Sequence, residues 1–160
     1  MQLLTNALIP FTSTFAGVFL AFLLGVWWQR HQRTQEERKL RLETKVSLAE
    51  ELEGIRGEVQ QILEAWKVDK DTIPIIDFCT DAKESSVSSG RFTLLELNLQ
   101  TEVGHIYAVI QQATDYRTRL LPPRLAMMPS PYPRLLEEFE GRLHHLEERI
   151  PPLIKDLELA

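Results

Sequence analysis

From Ala7 to Trp28 the chain runs ALIPFTSTFAGVFLAFLLGVWW, twenty-two residues without a charged side chain. As a helix rising 1.5 Å per residue, this stretch spans about 33 Å, which matches the hydrocarbon core of a bilayer. A transmembrane anchor over residues 1–28, with its span at about 7–28, is the first expectation. The pair Trp27 and Trp28 closes the run where an interfacial aromatic belt lies, and Arg30 and Arg33 follow at once. A cleaved signal peptide places its positive charge before the apolar run and a small-residue site after it, and neither is present here. A helix buried in a soluble core is the alternative reading of the same residues.

Charge orients the anchor. Residues 29–45 hold Arg30, Arg33, Arg38, Lys39, Arg41 and Lys45 against Glu36, Glu37 and Glu43, or six minus three, +3. The chain total is -5, so the remainder carries -5 - 3 = -8. Basic residues directly after the span predict a cell (inner) membrane protein with its N-terminus outside and its C-terminal domain in the cytoplasm. Within the span, Gly17, Ala21 and Gly25 recur every four residues and form a stripe that permits close helix approach, so we expect self-association. Pro10, Thr12, Ser13 and Thr14 lie toward the outer end, where a kink or hydroxyl back-bonding is tolerated.

Beyond the anchor about 130 residues remain, enough for one core. With 44% hydrophobic and 26% charged residues the chain is neither disordered overall nor multi-spanning. We expect a basic helical stalk over residues 29–47 and a cytosolic helical bundle over 48–160. No Gly or Pro interrupts residues 29–53, so the anchor runs on as a helix. Its apolar positions then settle into Leu48, Leu52, Ile55, Val59, Ile62 and Trp66, steps of four and three that mark a core-facing or coiled-coil stripe. Gly54 and Gly57 lie off that stripe.

A short helix is predicted from about Asp81 to Ser89, capped by Thr80 and stopped by Gly90 in the left-handed conformation. The apolar stretch Ile73–Phe78 is expected to fold back over the end of the bundle. A second long helix, roughly Leu94–Leu121, carries Leu99, Val103, Ile106, Ile110 and Ala113, and ends before Pro122 and Pro123. After a proline-rich loop, a third carries Leu136, Phe139, Leu143, Leu146 and Ile150, with Pro151 and Pro152 expected to break or kink it or to start a last short helix. The fold class that follows is all-α: the N-terminal transmembrane helix continues into an antiparallel three-helix bundle, with the short extra helix in its first loop.

The run Ser88, Ser89, Gly90, then Leu94 and Leu95, then a helix bearing Tyr107, resembles a pattern in uncharacterised prokaryotic single-pass membrane proteins that have an N-terminal anchor and a helical cytosolic tail. The similarity covers about residues 10–115. It implies that architecture and a bacterial or archaeal source, and it carries no activity to any residue.

Catalytic chemistry has no starting point. No Walker loop, dinucleotide-binding glycine pattern, HExxH, nucleophile elbow or CxxC pair occurs, so the expectation is no enzyme, no cofactor and no metal set. His144 and His145 diverge by about 100° on a helix and cannot chelate together. Glu140, Glu147 and Glu148 beside them read as a solvated face, laced by Arg134, Arg142 and Arg149. His105 and His31 are isolated in the sequence. Cys79 is the one cysteine, which excludes an intramolecular disulfide. An acidic domain makes nucleic acid an unsuitable partner.

Arg117, Arg119, Arg124 and Arg134 bracket the proline loop, with Tyr116, Tyr132, Met127 and Met128 among them. If helix one leads away from the membrane over residues 29–66 and helix two returns antiparallel, that loop comes back to within roughly 15 Å of the bilayer. There the arginines can contact anionic headgroups or an anionic ligand; an ordinary solvated loop is the alternative. Two functions are expected. The first is a membrane-tethered, non-enzymatic interaction or scaffold module that assembles as a homo-oligomer, contacts membrane lipid and presents its bundle to an unidentified cytosolic protein. The second is a ligand-sensing membrane effector, channel-like or membrane-perturbing, as in prokaryotic defence.

Overall fold

The computed structural model describes the backbone of residues 2–68, 78–125 and 132–159, and the side chains of 17–68, 78–120 and 133–159. Every regular element among them is helical: α1 (Gln2–Val68), α2 (Asp81–Ser88), a 3-10 turn (Arg91–Leu94), α3 (Leu97–Leu125) and α4 (Tyr132–Leu159). The chain divides into two compact units, Met1–Leu40 and Arg41–Ala160. Among the described residues no helix is long and apolar enough to cross a membrane. The side chains of residues 7–16, within the predicted span, lie outside the described residues. So do residues 73–77 of the segment expected to fold back, and residues 126–131 of the proline loop.

In the second unit the predicted stripes form one core. Leu48, Leu52, Ile55, Val59, Ile62 and Trp66 of α1 are buried with Leu99, Val103, Ile106, Ile110 and Ala113 of α3 and Phe139, Leu143, Leu146 and Ile150 of α4. Each Val, Leu, Ile or Phe among them contributes about 1.5–3 kcal/mol by leaving water. Trp66 meets Phe139 edge-on, ring centres 5.4 Å apart. The core also takes in Thr44 and Lys45, residues assigned above to the stalk.

The helix directions differ from the antiparallel expectation. Lys45 and Arg41 pair with Glu96 at the start of α3, Glu51 meets Tyr107 further along it, and Trp66 lies against Phe139. Both α1 and α3 therefore advance in the same direction, and α4 runs against them, with its His145 beside His105 and its Glu138 beside Tyr116. Apolar spacing fixes which face of a helix is buried but not which way the helix points. The connection of residues 69–96 is long enough to cross back, and α2 within it returns to the level of Glu51, so α3 starts beside Lys45.

The end of α3 differs from expectation, and α4 is not broken at its prolines. The α3 backbone stays helical through Pro122 and Pro123 to Leu125, and α4 continues through Pro151 and Pro152 to Leu159. Proline's fixed φ is itself helical, and its cost is the missing N–H and the crowded preceding turn. Beyond the prolines, Leu153 and Leu157 are 3% and 2% exposed, and their burial offsets that cost.

Candidate functional site

Residues 17–28 form the most unusual surface. Val18, Phe19, Leu20, Phe22, Leu23, Leu24, Trp27 and Trp28 are each 49–66% exposed. Their numbering distributes them around the whole helix, and a helix that is apolar on all sides needs a covering from outside itself. Gly17, Ala21 and Gly25 lie on one stripe, and a Cβ added at either glycine meets nothing within 4 Å. At the polar end Trp27 stacks on His31, ring centres 5.6 Å apart and planes 9° from parallel, while Arg30 and Arg33 are exposed.

The second unit is held by two polar nodes absent from the sequence reading. At the first, the Glu51 carboxylate accepts the backbone N–H of Ala82 at 2.6 Å and of Lys83 at 3.3 Å, capping the first turn of α2. Thr80, the predicted cap, occupies the cap position without a side-chain cap bond; its hydroxyl reaches Glu84 at 3.1 Å instead. Glu51 also accepts the Tyr107 hydroxyl, and Cys79 Sγ lies 3.9 Å from it. Burial first, then the Glu51 carboxylate, pushes the Tyr107 phenol far above its ordinary range, so it stays a donor. Lys83 Nζ sits over the Tyr107 ring, 5.7 Å from its centre. Gly90, as predicted, takes a left-handed φ of 74° where the chain leaves α2.

At the second node Lys45, 2% exposed, places Nζ 3.0 Å from Glu96, which also meets Arg41 at 3.3 Å. Its own backbone N–H, then Lys45 and Arg41, hold the Glu96 carboxyl below the usual range. Beside these nodes lies a cleft of about 60 Å³ lined by Glu43, Thr44, Ser47, Ser85, Ser86 and Arg91.

The predicted arginines that the structure describes stand in different surroundings. Arg117 is 8% exposed in the core, Arg119 is exposed beside a small cleft with Tyr116, and Arg134 is bound to Glu138 at 3.0 Å. The side chain of Arg124 lies outside the described residues. Arg117 and Arg134 fall at the Trp66 end of the second unit, opposite Arg41.

His105 and His145, far apart in sequence, come together across α3 and α4 with ring centres 5.8 Å apart. His144 instead faces Glu147 at 3.3 Å. Among the described residues no three His, Cys, Asp or Glu side chains converge as metal ligands. No family model, curated protein or solved structure matches the chain.

Proposed function

We propose that the protein is a membrane-tethered, non-enzymatic interaction module: an N-terminal span in the inner membrane, self-associating through Gly17, Ala21 and Gly25, that presents its helical bundle to a cytosolic partner. The observation that carries this reading is the exposed apolar surface of residues 17–28 on every side of α1. Lipid or a second span is the covering such a surface requires. The charge step from an uncharged run to +3 supports the orientation, and the resemblance to single-pass prokaryotic proteins fits the same architecture. No feature of the described residues favours the ligand-sensing effector.

Cys79 gives a direct test, because it is the one cysteine and it is exposed. In intact bacterial cells a membrane-impermeant maleimide is expected to leave Cys79 unlabelled until the inner membrane is opened, and the protein to stay with membranes after an alkaline wash. Release of the full chain by that wash removes the tether, and labelling in intact cells removes the orientation.

A further inference from the structure

The rings of His105 and His145 lie close enough to share one metal ion. His105 is exposed on α3, so its ring can turn toward solvent or toward its neighbour. His145 is partly buried on α4, and its Nε2 is buried without a hydrogen-bond partner among the described residues. The rings meet nearly at right angles, 80° between planes, with centres 5.8 Å apart. With a metal–nitrogen bond of about 2.0–2.1 Å and a ring nitrogen about 1.1 Å from its ring centre, two imidazoles on one tetrahedral ion have centres about 5 Å apart. The observed spacing is wider by less than about 1 Å, a difference that a turn of the exposed His105 ring closes.

An edge-to-face contact accounts for the rings but not for the orphaned nitrogen. Buried polar atoms are almost always satisfied, and an unsatisfied imidazole nitrogen beside a second imidazole is a ready ligand. The neighbouring charges do not oppose a cation: a cleft lined by Glu102, one turn before His105, Arg149, one turn after His145, and Asp156 carries two acids against one base. Imidazole is a good ligand for the late first-row divalent ions, and affinity rises along that series to copper.

We propose that His105 and His145 together bind one divalent transition-metal ion, clamping α3 to α4, with water completing its coordination. The site is independent of the membrane tether, since both ligands lie in the second unit.

The test uses the untagged full chain in mild detergent and nickel(II) chloride, followed by calorimetry and by the thermal unfolding midpoint. One nickel ion is expected to bind per chain and raise the midpoint, because a ligand that binds only the folded state stabilises it. H105Q is expected to weaken binding about tenfold or more and abolish the midpoint shift, and H145Q to do the same. H144Q, whose ring faces Glu147, is expected to bind as the parent does. Parental affinity in H105Q, or no binding by the parent, overturns the proposal. Should H145Q fail to fold, the exposed H105Q decides alone.

Discussion

Tyr107 on α3 donates its hydroxyl to Glu51 on α1, and that same carboxylate caps the first turn of α2. One side chain thus ties three helices together at a level where α1 and α3 run in the same direction. E51Q keeps the shape but weakens the cap and the charge-assisted bond from Tyr107. It is expected to destabilise the folded chain by about 1–3 kcal/mol, read as a lower denaturant midpoint. Hydrogen exchange at the Ala82 and Lys83 amides is expected to accelerate more than at Val103 in the core. Uniform acceleration would refute the capping role.

The Lys45–Glu96 pair gives stability a defined pH dependence. The folded state holds the Glu96 carboxyl below its ordinary value of 4.5, so its contribution is present above that pH and fades as pH falls through the lower folded value. E96Q leaves Lys45 buried without its partner. The difference in unfolding midpoint between parent and E96Q is therefore expected to be largest near neutrality and to shrink below pH ~4.5. A constant difference across that range would contradict the assignment.

Removing a proline from α4 should help. Pro152 is exposed, and alanine there restores a backbone donor within the helix. P152A is expected to raise stability by about 1–3 kcal/mol, measured by thermal unfolding. A loss of stability would mean that the helix depends on a local distortion at this point.

Self-association through the span is tested by mass. In mild detergent, light scattering of the full chain is expected to report a defined oligomer, and leucine at Gly17, Ala21 and Gly25 to dissolve it. The same mass for both proteins would exclude that stripe as the contact.

Much of the secondary structure was legible because periodicity reports burial directly. The four-three spacing from Leu48 to Trp66 and from Leu99 to Ala113 named core residues that the structure buries. Gly90 was legible too, since few residues other than glycine accept a left-handed φ. Direction was not legible: the same stripes serve a parallel or an antiparallel partner, and only contacts such as Glu51 to Tyr107 distinguish them. Lys45 was hidden by composition, because a lysine among stalk charges carries no local sign that Glu96 waits fifty-one residues on (96 - 45 = 51) to bury it. His105 and His145 were hidden for the same reason, since they lie on separate helices forty residues apart (145 - 105 = 40).

The shared direction of α1 and α3 has a consequence for biosynthesis. The apolar stripe ending at Trp66 leaves the ribosome long before Phe139, which follows it by 73 residues (139 - 66 = 73). Consecutive helices α3 and α4 can pair as soon as both exist, whereas α1 must hold its stripe in reserve until they do. Nascent chains that stall before α4 is complete are thus expected to be the aggregation-prone species and the ones that call on chaperones.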